Sequence, residues 1–297
     1  MFKYFFFMLS ALPFLACKIT ERKPVAVPAG FDWQGHRGCR GIMPENSLAA
    51  FMKALDFPQV STLELDLAVS KDHQLVVSHE PFFNPSICIK PNGEPILKEE
   101  AEKTSLYQLT LPEIQAYDCG SIGNPRFPHQ AKQRSYKPSF KEVVQAAQKK
   151  RPGIRWNIEI KSQPKWDGLY HPPVSEFARM VIQEIQALGI EKQCTVQSFD
   201  VRALEAMHQQ APEIPLAYLI ESNDSFKVNM GKLSFTPAIY SPYYLKVSSD
   251  LVKDCRRLQM KLVPWTVNEV HSMRRLIRLG VNGIITDHPD LINLVGK

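Results

Sequence analysis

Two short stretches of the chain alternate acidic and apolar side chains. In "LELDL", residues 63–67, Leu63, Leu65 and Leu67 share one face of an extended strand, and Glu64 and Asp66 share the other, because successive strand side chains point to opposite faces. In "WNIEIK", residues 156–161, Trp156, Ile158 and Ile160 go one way and Asn157, Glu159 and Lys161 the other. Carboxylates crowded on one inward face repel each other and lose hydration. A hard divalent cation, which takes oxygen ligands, relieves both penalties. Glu64, Asp66 and Glu159 are therefore candidate ligands for one Ca²⁺ or Mg²⁺. Lys161 is placed to pair with Glu159 or with a substrate anion. An inward polar layer satisfied by salt bridges alone is the competing reading of either strand. Two strands carrying the same pattern favour the metal.

A third stretch, "QGHRGCRGIMPENS" at residues 34–47, sets His36, Arg37, Arg40 and Glu45 among glycines. A structural turn needs backbone freedom but none of those charges, so the loop reads as one that grips a phosphate and a metal. His36 stands at the end of one strand pattern and His79 ends another, "LVVSH". Hydrolysis of a phosphodiester needs one group to take a proton and one to give it, and histidine does both near neutral pH. Taken singly, either histidine is more commonly a surface or capping residue.

Elements must bring these pieces together. Strand patterns fall at 31–36, 62–69, 74–79, 154–161, 194–199, 215–220, 238–244, 261–267 and 282–287. Helical patterns fall at 46–56, 139–150, 174–188, 200–210, 249–258 and 268–279. Strand–helix alternation with apolar strands predicts a parallel sheet covered by helices, and the number of units favours a closed (β/α)₈ TIM barrel, whose active site lies at the C-terminal ends of the strands. One strand is in excess. The link "SKDHQ" is too short for a parallel crossover, which takes about a dozen residues, so 74–79 folds back as an antiparallel rim hairpin. Residues 80–138 fit no strand–helix unit and read as an irregular insertion near the barrel mouth, a candidate lid with a short helix at "TLPEIQAY". Phe199, Tyr243, Tyr244 and Trp265 read first as packing and second as contacts to a substrate's apolar or cationic part.

The ordered set "GHRG", "PENS", "ELDL", "VVSHE", "NIEIK", "QSFD", "WTVN" and "GIITDHPD" resembles the glycerophosphodiester phosphodiesterase family from about residue 33 to 295. The resemblance implies a TIM-barrel hydrolase that cuts glycerophosphodiesters into sn-glycerol 3-phosphate and an alcohol with one divalent cation, Ca²⁺ or Mg²⁺. It implies His36 and His79 as the catalytic pair and Glu64, Asp66 and Glu159 as metal ligands; which histidine is acid and which base stays open, with a lean to His79 as the acid. It also implies Arg37 as a phosphate ligand, Lys161 beside the substrate, Glu45 ordering the site and Trp265 at the mouth. Ser47 replaces the family's usual threonine, and Glu80 stands where aspartate is common, which bears on how His79 is oriented. Water and the substrate's own 2-hydroxyl both remain open as nucleophile.

The chain's composition, 44% hydrophobic and 22% charged over 297 residues, is that of a globular domain with a sizeable core. The N-terminus departs from it. Residues 4–16 are an uncharged apolar run, shorter than the roughly 20 residues a membrane-spanning helix needs. The run suits an export signal. Its end, "FLAC", resembles a lipobox, so Cys17 is the expected lipidation site, 18–31 a tether, and 32–297 the catalytic domain of an exported, envelope-located protein anchored to a bacterial membrane. Export permits disulfides; Cys88 and Cys119 lie in one irregular region and can pair, while no CxxC spacing suggests zinc. The net charge of +6 is spread along the chain; it suits an anionic small molecule, and no dense basic run argues for nucleic acid. Two other readings compete: a non-catalytic binding protein for anionic polyol phosphates, and a phosphodiesterase for lysophospholipids or polymeric glycerophosphates.

Overall fold

Alternation of strands and helices builds the domain in the computed structural model, which describes residues 24–297. The export segment, Cys17 and the first part of the tether lie outside the described residues. The order is β1 (Asp32–Gly35), α1 (Leu48–Ala54), β2 (Val60–Val69), β3 (Leu75–Val77), α2 (Lys98–Ala101), α3 (Leu111–Gln115), α4 (Phe140–Lys150), β4 (Arg155–Ile160), α5 (Val174–Leu188), β5 (Cys194–Ser198), α6 (Val201–Gln210), β6 (Leu216–Ile220), α7 (Phe226–Met230), β7 (Ile239–Pro242), α8 (Ser249–Arg257), β8 (Lys261–Leu262), α9 (Val270–Leu279) and β9 (Gly283–Thr286).

Eight strands run parallel in the order β8-β7-β6-β5-β4-β2-β1-β9, and β3 lies off that path on β2. The β2–β3 pair is antiparallel, with Leu67 opposite Val77, so the rim hairpin forms as its short link requires. The barrel closes through backbone bonds: Asn282 N donates to Leu262 O at 2.9 Å, Ile285 N to Pro264 O at 3.0 Å and Val267 N to Ile285 O at 3.0 Å. The strand expected at 261–267 is regular only over Lys261–Leu262, because Pro264 has no N–H to continue a ladder. A helix absent from the sequence reading, α7, fills the β6–β7 connection; at five residues it is too short to show a helical period.

Helix patterning is plain in α5. Its buried residues Val174, Phe177, Ala178, Val181, Ile182 and Ile185 recur at three- and four-residue spacing, one apolar stripe facing the sheet. Gly189 ends it at φ 65°, a left-handed cap that suits glycine. Cutting Phe177 to alanine typically costs about 3–5 kcal/mol at such a site.

Inside the barrel the two halves differ. Ala217, Ile239, Val263 and Ile285, from the β6–β9 side, form a small apolar plug with Trp265 against it. On the β1–β5 side Gln34, Glu64, Asp66, Asn157, Glu159 and Gln197 are buried instead. Leu63, Leu65 and Leu67, fully buried, join the outer core, so the alternation read from "LELDL" holds. Residues 80–138 are not a bare loop. They pack Phe83, Ile87, Ile96, Leu106 and Ile114 into a core of their own with Ala68 and Val76 of the hairpin, and Cys88 and Cys119 form a disulfide within it. Cys39, Cys194 and Cys255 are free and buried. No helix among the described residues is long and apolar enough to cross a membrane.

Candidate active site

Register across the parallel strands assembles the acidic cluster. β2 and β4 pair with Glu64 opposite Asn157 and Asp66 opposite Glu159, which points all four side chains to the barrel interior. Glu64, Asp66 and Glu159 each offer an oxygen, and these atoms lie within 4.8 Å of one another. Glu64 is held by the Arg37 backbone N–H at 2.9 Å and by Gln197 Nε2 at 2.8 Å. Asn157 Nδ2 bonds Gln197 Oε1 at 2.9 Å and Gln34 Oε1 at 2.7 Å, so amides from β1, β4 and β5 form a floor beneath the acids. Asp66 Oδ2 accepts from Asn46 Nδ2 at 2.9 Å and lies 3.2 Å from Arg37 Nε. Asp66 Oδ1 is buried with no hydrogen-bond partner among the described residues. Lys161 Nζ is 3.9 Å from this oxygen, but a buried carboxylate oxygen with no hydrogen bond costs free energy, and this one faces two further carboxylates. An all-oxygen donor set of this kind fits a hard divalent cation.

The electrostatics agree. Burial, and then the charges of Asp66 and Glu159, push the Glu64 carboxyl well above its usual range. Burial lifts Glu159 to about 7 although Lys161 opposes it; Lys161 Nζ sits 2.8 Å from Glu159 Oε1. Burial also works to raise Asp66, but Arg37, His79 and Lys161 outweigh it and hold this carboxyl well below the ordinary range. Three acids that cannot all ionise comfortably without a partner are placed to take one.

Two imidazoles flank the cluster, each pinned through Nδ1. His36, directly after β1, donates to Asp287 Oδ1 at 2.6 Å, and its Nε2 lies 3.9 Å from Glu64 Oε2. Asp287 also accepts from Arg40 Nε and from Asn268 Nδ2, at 2.9 and 2.7 Å. Burial, with Arg40 and Arg37 adding to it and Asp287 opposing, takes His36 down to about 4, so its ring is neutral at neutral pH. With Nδ1 donating to a carboxylate, the Nε2 lone pair faces the acids. His79 follows β3 and donates Nδ1 to Glu80 Oε1 at 2.9 Å; the glutamate reaches its imidazole neighbour. Burial and Arg37 lower His79 as well.

The loop at 34–47 is tied to the acidic cluster. Arg37 holds φ 50° and Asn46 φ 53°, left-handed conformations that cost non-glycine residues energy. In return the Arg37 amide reaches Glu64 and the Asn46 side chain reaches Asp66. At Gly38, φ 82°, an added Cβ would come within 2.6 Å of the Ala50 backbone in α1, and at Gly41 within 2.3 Å of the His288 ring. Glu45 receives Arg37 Nη1 at 2.6 Å and lies 3.9 Å from Arg40 Nη1. It pairs with the guanidinium of Arg37 and does not line the cavity.

That cavity, about 670 Å³, opens at the C-terminal ends of the strands and is walled by His36, Arg37, Glu64, His79, Glu159 and Lys161 on its polar side. Phe199, Trp265 and Trp166 supply an aromatic side. Tyr243 packs behind Trp265, ring centroids 5.7 Å apart, so of the aromatics read from sequence Phe199 and Trp265 face the cavity, and Tyr243 and Tyr244 do not. Every site residue expected from sequence within the described part converges on this end of the barrel; Cys17 lies outside it. Sequence reasoning passed over Asp287, Asn46, Asn268 and the Gln34–Asn157–Gln197 amides. Asp287 had a signal, an acid one residue past a strand, where barrel active sites gather. The amides had none, since an inward amide reads like any polar strand residue.

Three comparisons bear on the site. The family model described as the glycerophosphoryl diester phosphodiesterase family matches residues 36–291. A glycerophosphodiester phosphodiesterase of Caldanaerobacter subterraneus subsp. tengcongensis is 32% identical over 265 residues, covering 88% of this chain and 96% of that protein. Among solved structures, a candidate glycerophosphoryl diester phosphodiesterase of Silicibacter pomeroyi DSS-3 superposes with TM-score 0.79 at 27% identity, covering 89% of this chain and 94% of that one. The phosphodiesterase of Oleispira antarctica, solved with sn-glycerol-3-phosphate, superposes with TM-score 0.71 at 19% identity over 91% of this chain and 96% of its own, a likeness of fold.

Proposed function

The chain belongs to the glycerophosphoryl diester phosphodiesterase family and is a phosphoric diester hydrolase, and from that premise we propose that it cuts small glycerophosphodiesters into sn-glycerol 3-phosphate and an alcohol by paired histidine acid–base catalysis at a divalent metal site. The observation that carries this reading is the meeting of three buried carboxylates within 4.8 Å beside two imidazoles, each held at Nδ1 by its own carboxylate.

Glu64, Asp66 and Glu159 would hold the cation, Ca²⁺ or Mg²⁺, which would supply positive charge against the phosphate. Arg37 and Lys161 bind and orient the same phosphate from the cavity wall. Asp287 holds the His36 proton at Nδ1 while burial keeps the ring neutral, so Nε2 takes the proton from the attacking hydroxyl, whether of water or of the glycerol C2. His79, in its doubly protonated form, gives the Nε2 proton to the departing alkoxide and keeps Nδ1–H on Glu80. One P–O bond forms as the other breaks, and the proton gained at His36 balances the one lost at His79. Phe199 and Trp265 present apolar faces to the glycerol carbons or to the alcohol.

The test is release of sn-glycerol 3-phosphate from glycerophosphocholine and glycerophosphoethanolamine, with Ca²⁺, with Mg²⁺ and with chelator. Expected are turnover with metal, its loss on chelation, and a fall of about 10²–10⁴-fold in His36→Ala and in His79→Ala. Undiminished turnover in both variants, or recovery of intact diester after long incubation with metal, overturns the reading. We further propose export and lipid anchoring at Cys17, on the strength of the apolar run and "FLAC". Metabolic labelling with a fatty acid that is unchanged in Cys17→Ala overturns that part alone.

A further inference from the structure

Lys137 closes the insertion one residue before Pro138, and it is 6% exposed. Its ammonium donates to Ser78 Oγ at 2.7 Å and lies 5.9 Å from the Phe83 ring centroid. Among the described residues it has no other hydrogen bond and no carboxylate within ion-pair distance. A buried ammonium with one hydroxyl partner is a poor choice for stability: desolvation costs several kcal/mol (roughly), and an apolar side chain of the same length would pack there without that cost. Something other than stability has to account for the lysine.

The bonds around it lead to His79. Ser78 Oγ, which accepts from Lys137, donates to the Glu80 carbonyl at 2.6 Å. The Ser78 backbone N–H donates to Asp66 O at 2.9 Å, and Val77 N, one residue earlier, donates to Pro138 O at 2.8 Å. Lys137 and Pro138 thus grip the chain on the N-terminal side of His79, and the Ser78 bridge carries that grip to Glu80 on the other side. Glu80 in turn holds His79 Nδ1. The groups whose charges act on Lys137 are Glu80, Glu45, Arg37 and Asp66.

We propose that Lys137 is a positioning residue for His79: through Ser78 it clamps residues 78–80 so that the imidazole and its Glu80 partner keep the orientation that proton delivery needs. Lys137 does not line the cavity. The proposal makes the end of the insertion part of the catalytic frame, and it rests on His79 as the acid proposed above.

An acid that protonates a leaving alkoxide matters for a poor leaving group and little for one that departs unaided. The experiment compares two diesters of sn-glycerol 3-phosphate, one with choline and one with 4-nitrophenol, in the wild type, Lys137→Met, Ser78→Ala and His79→Ala. Expected for Lys137→Met and Ser78→Ala is a fall in kcat of about 10²-fold on the choline ester, the scale of a small misplacement. KM should change little, activity on the nitrophenyl ester should be largely kept, and the melting temperature of Lys137→Met should not fall. If His79→Ala discriminates between the two esters and Lys137→Met does not, or if Lys137→Met loses both equally, the positioning role is overturned. If His79→Ala itself fails to discriminate, the assignment of His79 as acid is overturned instead. Should Lys137→Met fold poorly, Ser78→Ala decides, since it removes the bridge and leaves the lysine.

Discussion

At the scale of single residues the site depends on directing a ring nitrogen. Asp287 is wholly buried, and it accepts from His36, Arg40 and Asn268 at once. Asp287→Asn keeps the shape but is neutral and offers an amide in place of one carboxylate oxygen, so His36 loses its preference for donating from Nδ1 and Arg40 loses the Asp287 charge. The expected outcome in steady-state assays is a kcat lower by about 10²-fold or more, in the range for loss of a general base, with KM little altered because Asp287 does not line the cavity. Removing one partner of a buried pair also costs about 3–5 kcal/mol, so the denaturant midpoint should drop. Wild-type kcat in Asp287→Asn would refute the pinned-imidazole account.

At the scale of elements the insertion is the part that a reading by strands and helices handles least well, and it has its own sources of order. The Cys88–Cys119 bridge joins positions 31 apart in sequence, worth about 3–4 kcal/mol in the chain-entropy picture. The double variant Cys88→Ser, Cys119→Ser should lose amide-exchange protection over residues 83–119 while the barrel strands keep theirs; uniform loss would mean that insertion and barrel unfold together. Asp118, buried beside the bridge, accepts at Oδ1 from the backbone N–H groups of Gly120, Ser121 and Ser135 at 3.0, 3.2 and 3.1 Å. Burial works to raise this carboxyl, but the Ser121 hydroxyl and these amides outweigh it and hold it below the ordinary range. A folded-state pKa below the unfolded one adds stability above the unfolded value, about 3.9, and that stability is lost as pH falls through the lower folded value. Asp118→Asn should therefore cost about 1–3 kcal/mol at neutral pH, and its deficit against wild type should shrink below about pH 4. A deficit that stays constant from pH 7 to 3 in urea melts would rule out this carboxylate as the source.

At the scale of the whole molecule, a metal that binds only the native barrel stabilises all of it. At a free concentration of a hundred times Kd the gain is about 2.7 kcal/mol, several degrees in melting temperature for a domain of this size. Wild-type protein should show that rise with Ca²⁺ or Mg²⁺. Glu159→Gln should not, because it removes a ligand while keeping an oxygen for Lys161. In chelator the same variant should be no less stable than wild type, since burial already disfavours the ionised form of Glu159. A full metal-induced rise in Glu159→Gln would remove this residue from the ligand set.

The sequence by itself determined the barrel and the faces of its strands. Period-two alternation sends Glu64, Asp66 and Glu159 inward whatever surrounds them, and the short 70–74 link leaves β3 no choice but to fold back on β2. His36 and His79 could be placed at strand ends for the same local reason. Only the tertiary structure decided which side chains meet. The Asp287–His36 contact spans 251 positions. Glu45 turned out to pair with Arg37, and the amide floor of Gln34, Asn157 and Gln197 exists only once β1, β4 and β5 are side by side. Lys137 is the plainest case: nothing in "SYKPSF" marks a lysine as buried, because burial of a charge is set by what folds over it, and periodicity records only which way a residue points.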